Sequence, residues 1–250
     1  MTLQDKHAFI TGGGTGIGLA IAQDLAAKGA RVTITGRRQK ALDAVSGNGI
    51  TGMAMDVRDE GQVVDTIARA VEASGPVQIC IANAGVAEGR SLHKTDLDFW
   101  RDMMATNLDG AFLTIRESLK SMRQTDWGRV IAVSSIAGLR GLPGAACYSA
   151  SKHGMIGLIR SLSEDYMGQP FTFNALCPGY VDTDIIARNT RAISQRAGLS
   201  EDKARDVMVN ANRHKRLIGP SEVAAAAAWL IAEGSESVNG QSIEIAGGQM

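Results

Sequence analysis

Tyr148 and Lys152 stand one helical turn apart in Tyr148-Ser149-Ala150-Ser151-Lys152, with Ser135 upstream in Val133-Ser134-Ser135. On a helix, positions i and i+4 share a face, so the phenol and the ammonium can point into one site. An unperturbed phenol has a pKa of about 10, too high for ready proton exchange at neutral pH. A neighbouring cation stabilises the phenolate and lowers that value. The pair would then be a tuned acid/base, which ketone–alcohol interconversion requires. The spacing alone also fits a surface lysine beside a half-buried tyrosine, so the elements around the pair must decide.

Those elements alternate. Strands are expected at His7–Thr11, Arg31–Thr35, Gly52–Asp56, Val77–Ala82, Arg129–Ser134, Phe171–Cys177 and Gln241–Ala246. Helices are expected at Ile17–Lys28, Arg38–Val45, Glu60–Ala73, from about Asp98 to Arg123, and from Tyr148 to about Met167. Seven strands alternating with helices predict an α/β fold with a parallel sheet covered on both faces. No repeat or linker interrupts the chain, so residues 1–250 read as one domain. Pro178–Arg216 breaks the rhythm with helical pieces rich in Arg, Asp and Asn. A segment of that length in a compact domain reads as a lid, here over residues 183–216.

The first strand runs into Thr11-Gly12-Gly13-Gly14-Thr15-Gly16-Ile17-Gly18. Glycines at a strand–helix junction permit a tight turn and let the backbone approach a pyrophosphate. The helix N-terminus adds free N–H groups and a positive dipole end. NAD sites usually carry a carboxylate at the end of the second strand for the ribose 2′-hydroxyl. This chain has Gly36 there, followed by Arg37 and Arg38. A guanidinium can pair with a 2′-phosphate, so NADP(H) is favoured and NAD(H) is the alternative.

Composition narrows the classes further. Lys plus Arg and Asp plus Glu each number 26, so no basic excess draws nucleic acid. The longest apolar run, Val223–Ile231, is too short to span a bilayer. Met1–Lys6 lacks a signal peptide's apolar core, and a cytoplasmic location is the expectation. Cys80, Cys147, Cys177 and the four histidines show no ligand spacing, so no metal site is expected.

Taken in order, these motifs resemble the short-chain dehydrogenase/reductase family. They are Thr11–Gly18, Asp56-Val57, Asn83-Ala84-Gly85, Asn107, Ser135, Tyr148-x-x-x-Lys152, and Pro178-Gly179 leading to Thr183. The resemblance covers nearly the whole chain. It implies a single Rossmann-type, doubly wound sheet and an NAD(P)(H)-dependent oxidoreductase. By resemblance Tyr148 is the general acid or base, Lys152 lowers its pKa and binds the nicotinamide ribose, and Ser135 bonds the substrate oxygen. Asn107 resembles the member that holds a water in the proton relay. Gly12, Thr15, Gly16, Ile17 and Gly18 match the pyrophosphate loop, and Arg37 the 2′ end. Asp56 and Val57 match positions beside the adenine, and Asn83, Ala84 and Gly85 line the cofactor. Pro178, Gly179, Val181 and Thr183 match the stretch at the nicotinamide. The family often has Asn where this chain has Ala82.

The partner is expected to be a small carbonyl or alcohol. The neighbourhoods of Tyr148, Trp127-Gly128-Arg129 and Asn174–Gly179 look similar to 3-oxoacyl-thioester and polyketide ketoreductases and to 3-hydroxyacyl-CoA dehydrogenases. Cyclic, sugar and aromatic alcohols stay open, as does a dinucleotide-binding sensor without catalysis. Arg188, Arg191, Arg196 and Lys203 could meet a phosphorylated carrier, but a solvated helix face is the commoner reason for such a run. The resemblance also implies a homotetramer packed through long helices. Phe112, Leu113, Ile115, Leu119, Met155, Ile156 and Ile159 suit such a face and an intrachain core equally well.

Overall fold

Short runs of branched apolar residues, buried on both sides, build the centre of the protein. In the computed structural model, which describes residues 2–248, β1 (His7–Thr11) and β5 (Gly128–Val133) are buried at every position. With β2 (Arg31–Gly36), β3 (Ile50–Ala54), β4 (Val77–Ala82), β6 (Phe171–Pro178) and β7 (Ser242–Ile245) they form a seven-stranded sheet. Its order is β3-β2-β1-β4-β5-β6-β7, and every neighbouring pair is parallel. This is the doubly wound α/β architecture that the alternation predicts.

Side chains alternate across a strand, so each strand feeds two cores. Ala8, Ile10, Ile79, Ile81, Ile131 and Val133 face one side, against α1 (Gly16–Ala27) and a later helix, α9 (Pro220–Ile231). Phe9, Cys80, Ala82, Val130, Ala132 and Phe173 face the other. There they meet α3 (Glu60–Ser74), α5 (Gly110–Met122) and α6 (Ala146–Asp165). A short α2 (Gln39–Asp43) follows β2.

Two expectations shift, and two points left open by the sequence are filled in. The third strand begins earlier than Gly52, and Asp56 and Val57 lie beyond its end. The helix expected from Asp98 to Arg123 is α4 (Leu97–Met104), a π-helical turn (Ala105–Asp109) and then α5. The apolar run at Val223–Ile231, given no element above, belongs to α9. Leu113, Ile115, Leu119, Met155, Ile156 and Ile159 belong to the intrachain core, while Phe112 is 43% exposed. The segment expected to be a lid folds as a helical pair, α7 (Asp184–Ala197) and α8 (Glu201–Ala211). Among the described residues no helix is long and apolar enough to cross a membrane.

Candidate active site

The strand order reverses between β1 and β4, which opens a crevice beyond their C-terminal ends. Thr11 laces that crevice: its hydroxyl accepts from the N–H groups of Asn83 and Ala84, both at 3.0 Å. Asn83 Nδ2 returns a bond to the Thr11 carbonyl at 2.9 Å. The glycine loop then turns at Gly12 and Gly16, with φ of +64° and +55°. A Cβ on Gly18 would sit 2.5 Å from both Asn83 Nδ2 and the Gly12 carbonyl oxygen, so only hydrogen fits. Thr15 precedes α1 without a side-chain cap. The first turn of α1 therefore keeps N–H groups to offer an anion.

Such a cradle suits the pyrophosphate of a dinucleotide. Arg37 is exposed beyond β2, and no acid stands at Gly36. Asp56 is gripped by Arg58 through contacts of 2.6 to 3.1 Å, which hold its carboxyl below the usual range. Val57 is wedged against α5: a Cβ on Gly110 would meet Val57 Cγ2 at 2.6 Å. At the far end Pro178 closes β6, Gly179 donates to Ile245 at 3.0 Å, and Val181 bridges Ile218. Thr183 touches the glycine loop, since a Cβ on Gly16 would lie 3.0 Å from its methyl group.

Helix α6 brings Tyr148 and Lys152 to the same crevice. Ser135, just past β5, is close enough to the Tyr148 phenol to draw its pKa down. The Ser135 hydroxyl also accepts from Ala137 N–H at 3.1 Å. Lys152 is 3% exposed, and its ammonium donates to the Val133 carbonyl at 2.8 Å. The ammonium lies 5.8 Å from the centre of the Tyr148 ring.

The electrostatics correct one expectation. Burial pushes the Tyr148 phenol above its ordinary value, Ser135 offsets part of that, and Tyr180 and Cys177 add to it. Burial acts on the ammonium too, bringing Lys152 down to about 8. Desolvation disfavours the charged form of each, so it drives the two values in opposite directions.

Asn107 lies in the π-turn and is fully buried. Its Oδ1 accepts from Val86 N–H at 2.8 Å, and its Nδ2 donates to the Val86 carbonyl and to Ser151 Oγ, both at 3.0 Å. Ser151 Oγ donates to the Tyr148 carbonyl at 2.8 Å. A bonded chain thus links the end of β4 to α6. The side-chain amide of Asn107 is thus engaged within the protein. Gly85 lies against both neighbours: a Cβ there would be 3.2 Å from Asn107 Oδ1 and 3.5 Å from Lys152 Nζ.

The family model for short chain dehydrogenases matches residues 6–193. The chain belongs to the short-chain dehydrogenase family. It is an oxidoreductase of that family. It is 32% identical to the 3-oxoacyl-(acyl-carrier-protein) reductase FabG of Escherichia coli, over 99% of this chain and 98% of the relative. It is 33% identical to the corresponding reductase MabA of Mycobacterium tuberculosis, over 97% of this chain and 92% of the relative. Its fold superposes on an actinorhodin polyketide ketoreductase variant crystallised with NADPH, with a TM-score of 0.95 and 33% identity. That match covers 100% of this chain and 99% of the other.

Within this short-chain dehydrogenase fold, three residues near the site escaped the sequence reading. Tyr180 follows Gly179, and its phenol is pushed up by burial and drawn down by Arg140. Its place between two recognised positions was the available signal. Gly110 gave a weaker one, as a glycine inside an expected helix. Asn212 gave none, because an asparagine among Arg and Lys reads as solvated. In α7 and α8, Arg188, Arg191 and Lys203 are exposed, and the Arg196 side chain lies outside the described residues.

Proposed function

We propose that the protein reduces the ketone of a 3-oxoacyl thioester to the secondary alcohol, using NADPH, and runs the reverse reaction when product and oxidised cofactor accumulate. The observation that carries this reading is the buried ammonium of Lys152, 5.8 Å from the centre of the Tyr148 ring and bonded to Val133, next to a cradle suited to a dinucleotide. The 3-oxoacyl class is supported by the E. coli and mycobacterial reductases, and NADPH by the polyketide ketoreductase structure and by Arg37.

Gly12, Thr15, Gly16, Ile17 and Gly18 hold the pyrophosphate, and Arg37 meets the 2′-phosphate. Asp56 and Val57 border the adenine, and Asn83, Ala84 and Gly85 line the cofactor. Pro178, Gly179, Val181 and Thr183 hold the nicotinamide end, and Lys152 the ribose beside it. A nicotinamide held there would supply the hydride. Ser135 donates to the substrate oxygen and steadies its developing charge. Tyr148 delivers the proton to that oxygen, and the Lys152 ammonium, with a water held at Asn107, restores the proton. Leu139, Leu142 and Ile186 supply apolar wall, and Tyr180 and Arg140 the polar rim.

The working form is a cytoplasmic homotetramer packed through α5 and α6. Phe112, with Leu158 and Leu162, lines a surface groove between those helices. Light scattering on a sizing column tests this, and a monomeric mass sinks it. The function is tested with a panel of 3-oxoacyl thioesters, cyclic ketones and aromatic ketones, each with NADPH and NADH. The expected result is preferential turnover of the thioesters with NADPH. A higher rate with NADH overturns the role of Arg37, a cyclic or aromatic ketone as best substrate overturns the thioester, and no turnover favours a silent sensor.

A further inference from the structure

The lid stands on two legs that run side by side. The outgoing leg, residues 180–183, leaves β6; the returning leg, residues 212–218, follows α8. Ile218 N–H donates to the Tyr180 carbonyl and Asp182 N–H to the Ile218 carbonyl, both at 2.9 Å. Asn212, at the end of α8, closes the pair and is fully buried. Its Oδ1 accepts from Tyr180 N–H at 3.1 Å. Its Nδ2 donates to the carbonyls of Tyr180 at 2.9 Å and Arg216 at 2.8 Å.

A buried amide is costly unless it is bonded. Here its bonds clasp both backbone groups of a single residue across the legs. Asn107 holds Val86 beyond β4 in the same manner. The fit is close: a Cβ on Gly179 would come 2.7 Å from Asn212 Oδ1. The glycine at position 179 thus leaves room for the asparagine. The clasped leg continues to Thr183, which touches Gly16 of the glycine loop.

We propose that Asn212 is a positioning residue for hydride transfer. Through Tyr180 it fixes the Pro178–Thr183 segment to the returning leg of the lid, and so sets where the nicotinamide end of the cofactor lies. The inference rests on the proposed function and extends it to a residue outside the recognised motifs. A misplacement of about 1 Å at a reacting centre can cost roughly a hundredfold in rate, so a slack leg should be visible in turnover.

The test compares Asn212→Ala, Gly179→Ala and their double variant with Arg216→Gln, which cuts the neighbouring ion pair to Glu222 and leaves the clasp whole. Asn212→Ala and Gly179→Ala should each raise the KM for NADPH and lower kcat, about tenfold in each. The double variant should be no worse than the worse single, because both cut one contact. Arg216→Gln should leave both constants within about twofold at a matched loss of Tm. Asn212→Ala kinetics like those of wild type, or Arg216→Gln kinetics like those of Asn212→Ala, overturn the proposal. Hydrogen exchange of the wild-type protein gives a readout that needs no variant: peptides covering 179–183 and 212–218 should gain protection together when NADPH is added. Protection of one without the other also overturns it. In the cofactor-free protein, Asn212→Ser should speed exchange at 179–183, and unchanged exchange removes the clasp while leaving the function reading intact. Failure of the wild-type protein to oxidise NADPH with any ketone removes the function reading, whatever the exchange result.

Discussion

At Tyr148 burial raises the pKa of the phenol, which keeps the proton on it but weakens it as an acid toward a carbonyl oxygen. The same burial destabilises the ammonium of Lys152. Tyr148→Phe removes the donor and keeps the ring. It is expected to lower kcat by roughly a thousandfold, within the usual range for losing a general acid, with the NADPH dissociation constant unchanged by fluorescence titration. Retained turnover would refute the assignment. The Lys152 value of about 8 carries a second expectation. The profile of kcat/KM for NADPH reports the free enzyme, and it should fall on the alkaline side with a midpoint at about 8 as Lys152 loses its charge. Stability moves the other way. Between about 8 and the ordinary lysine value of 10.5 the unfolded chain holds more protons than the folded one. The contribution of this group to stability therefore rises with pH across that window. A flat alkaline limb would show that Lys152 keeps its proton. The identities of Tyr148, Lys152 and Ser135 were legible from spacing and resemblance. The direction of the phenol shift was not, because it depends on how much water the fold removes around each group.

Among the elements, the π-turn at Ala105–Asp109 does the most for the site. It lies between α4 and α5 and carries Asn107 to Val86 and to the catalytic helix. The sequence reads as one helix from Asp98 to Arg123 because apolar residues continue on either side of the turn. An inserted residue only rotates the later face, and a hydrogen-bonding partner beyond β4 leaves no local trace. Just after it, Gly110 lets α5 approach Val57. Gly110→Ala puts a methyl group 2.6 Å from Val57 Cγ2. Overpacking of this kind costs about 1–3 kcal/mol. The variant should unfold at lower temperature and show a raised KM for NADPH through displacement of Val57, with kcat little changed. A normal KM in a folded variant would place Val57 away from the cofactor.

Across the whole molecule, the sheet is tied by groups far apart in the chain. His7, at the start of β1, is fully buried. Its Nδ1 meets the Gly75 carbonyl at 2.7 Å and its Nε2 meets Thr33 Oγ1 at 2.9 Å. The carbonyl can only accept, so Nδ1 carries the proton of the neutral ring and Nε2 accepts from the threonine. Burial lowers the His7 pKa below 6.5. The unfolded chain therefore binds a proton that the folded one refuses, and stability drops as pH falls below about 6.5. Thermal unfolding from pH 7 to pH 5 (about two units around the histidine range) should show a falling Tm, with a shallower slope in His7→Gln. Equal slopes would assign the acid sensitivity to other groups. The sequence by itself determined the alternation of strands and helices, the parallel sheet, the glycine turn after β1 and the candidates for catalysis, because hydrophobic period and motif spacing are local properties of a chain. Only the tertiary structure decided that Asn107 clasps Val86, that Asn212 clasps Tyr180, that α9 packs against α1, and that burial raises the pKa of the phenol. Each of these depends on which distant segments fold against one another and exclude water, and neither spacing nor composition encodes that in a form that can be read along the chain.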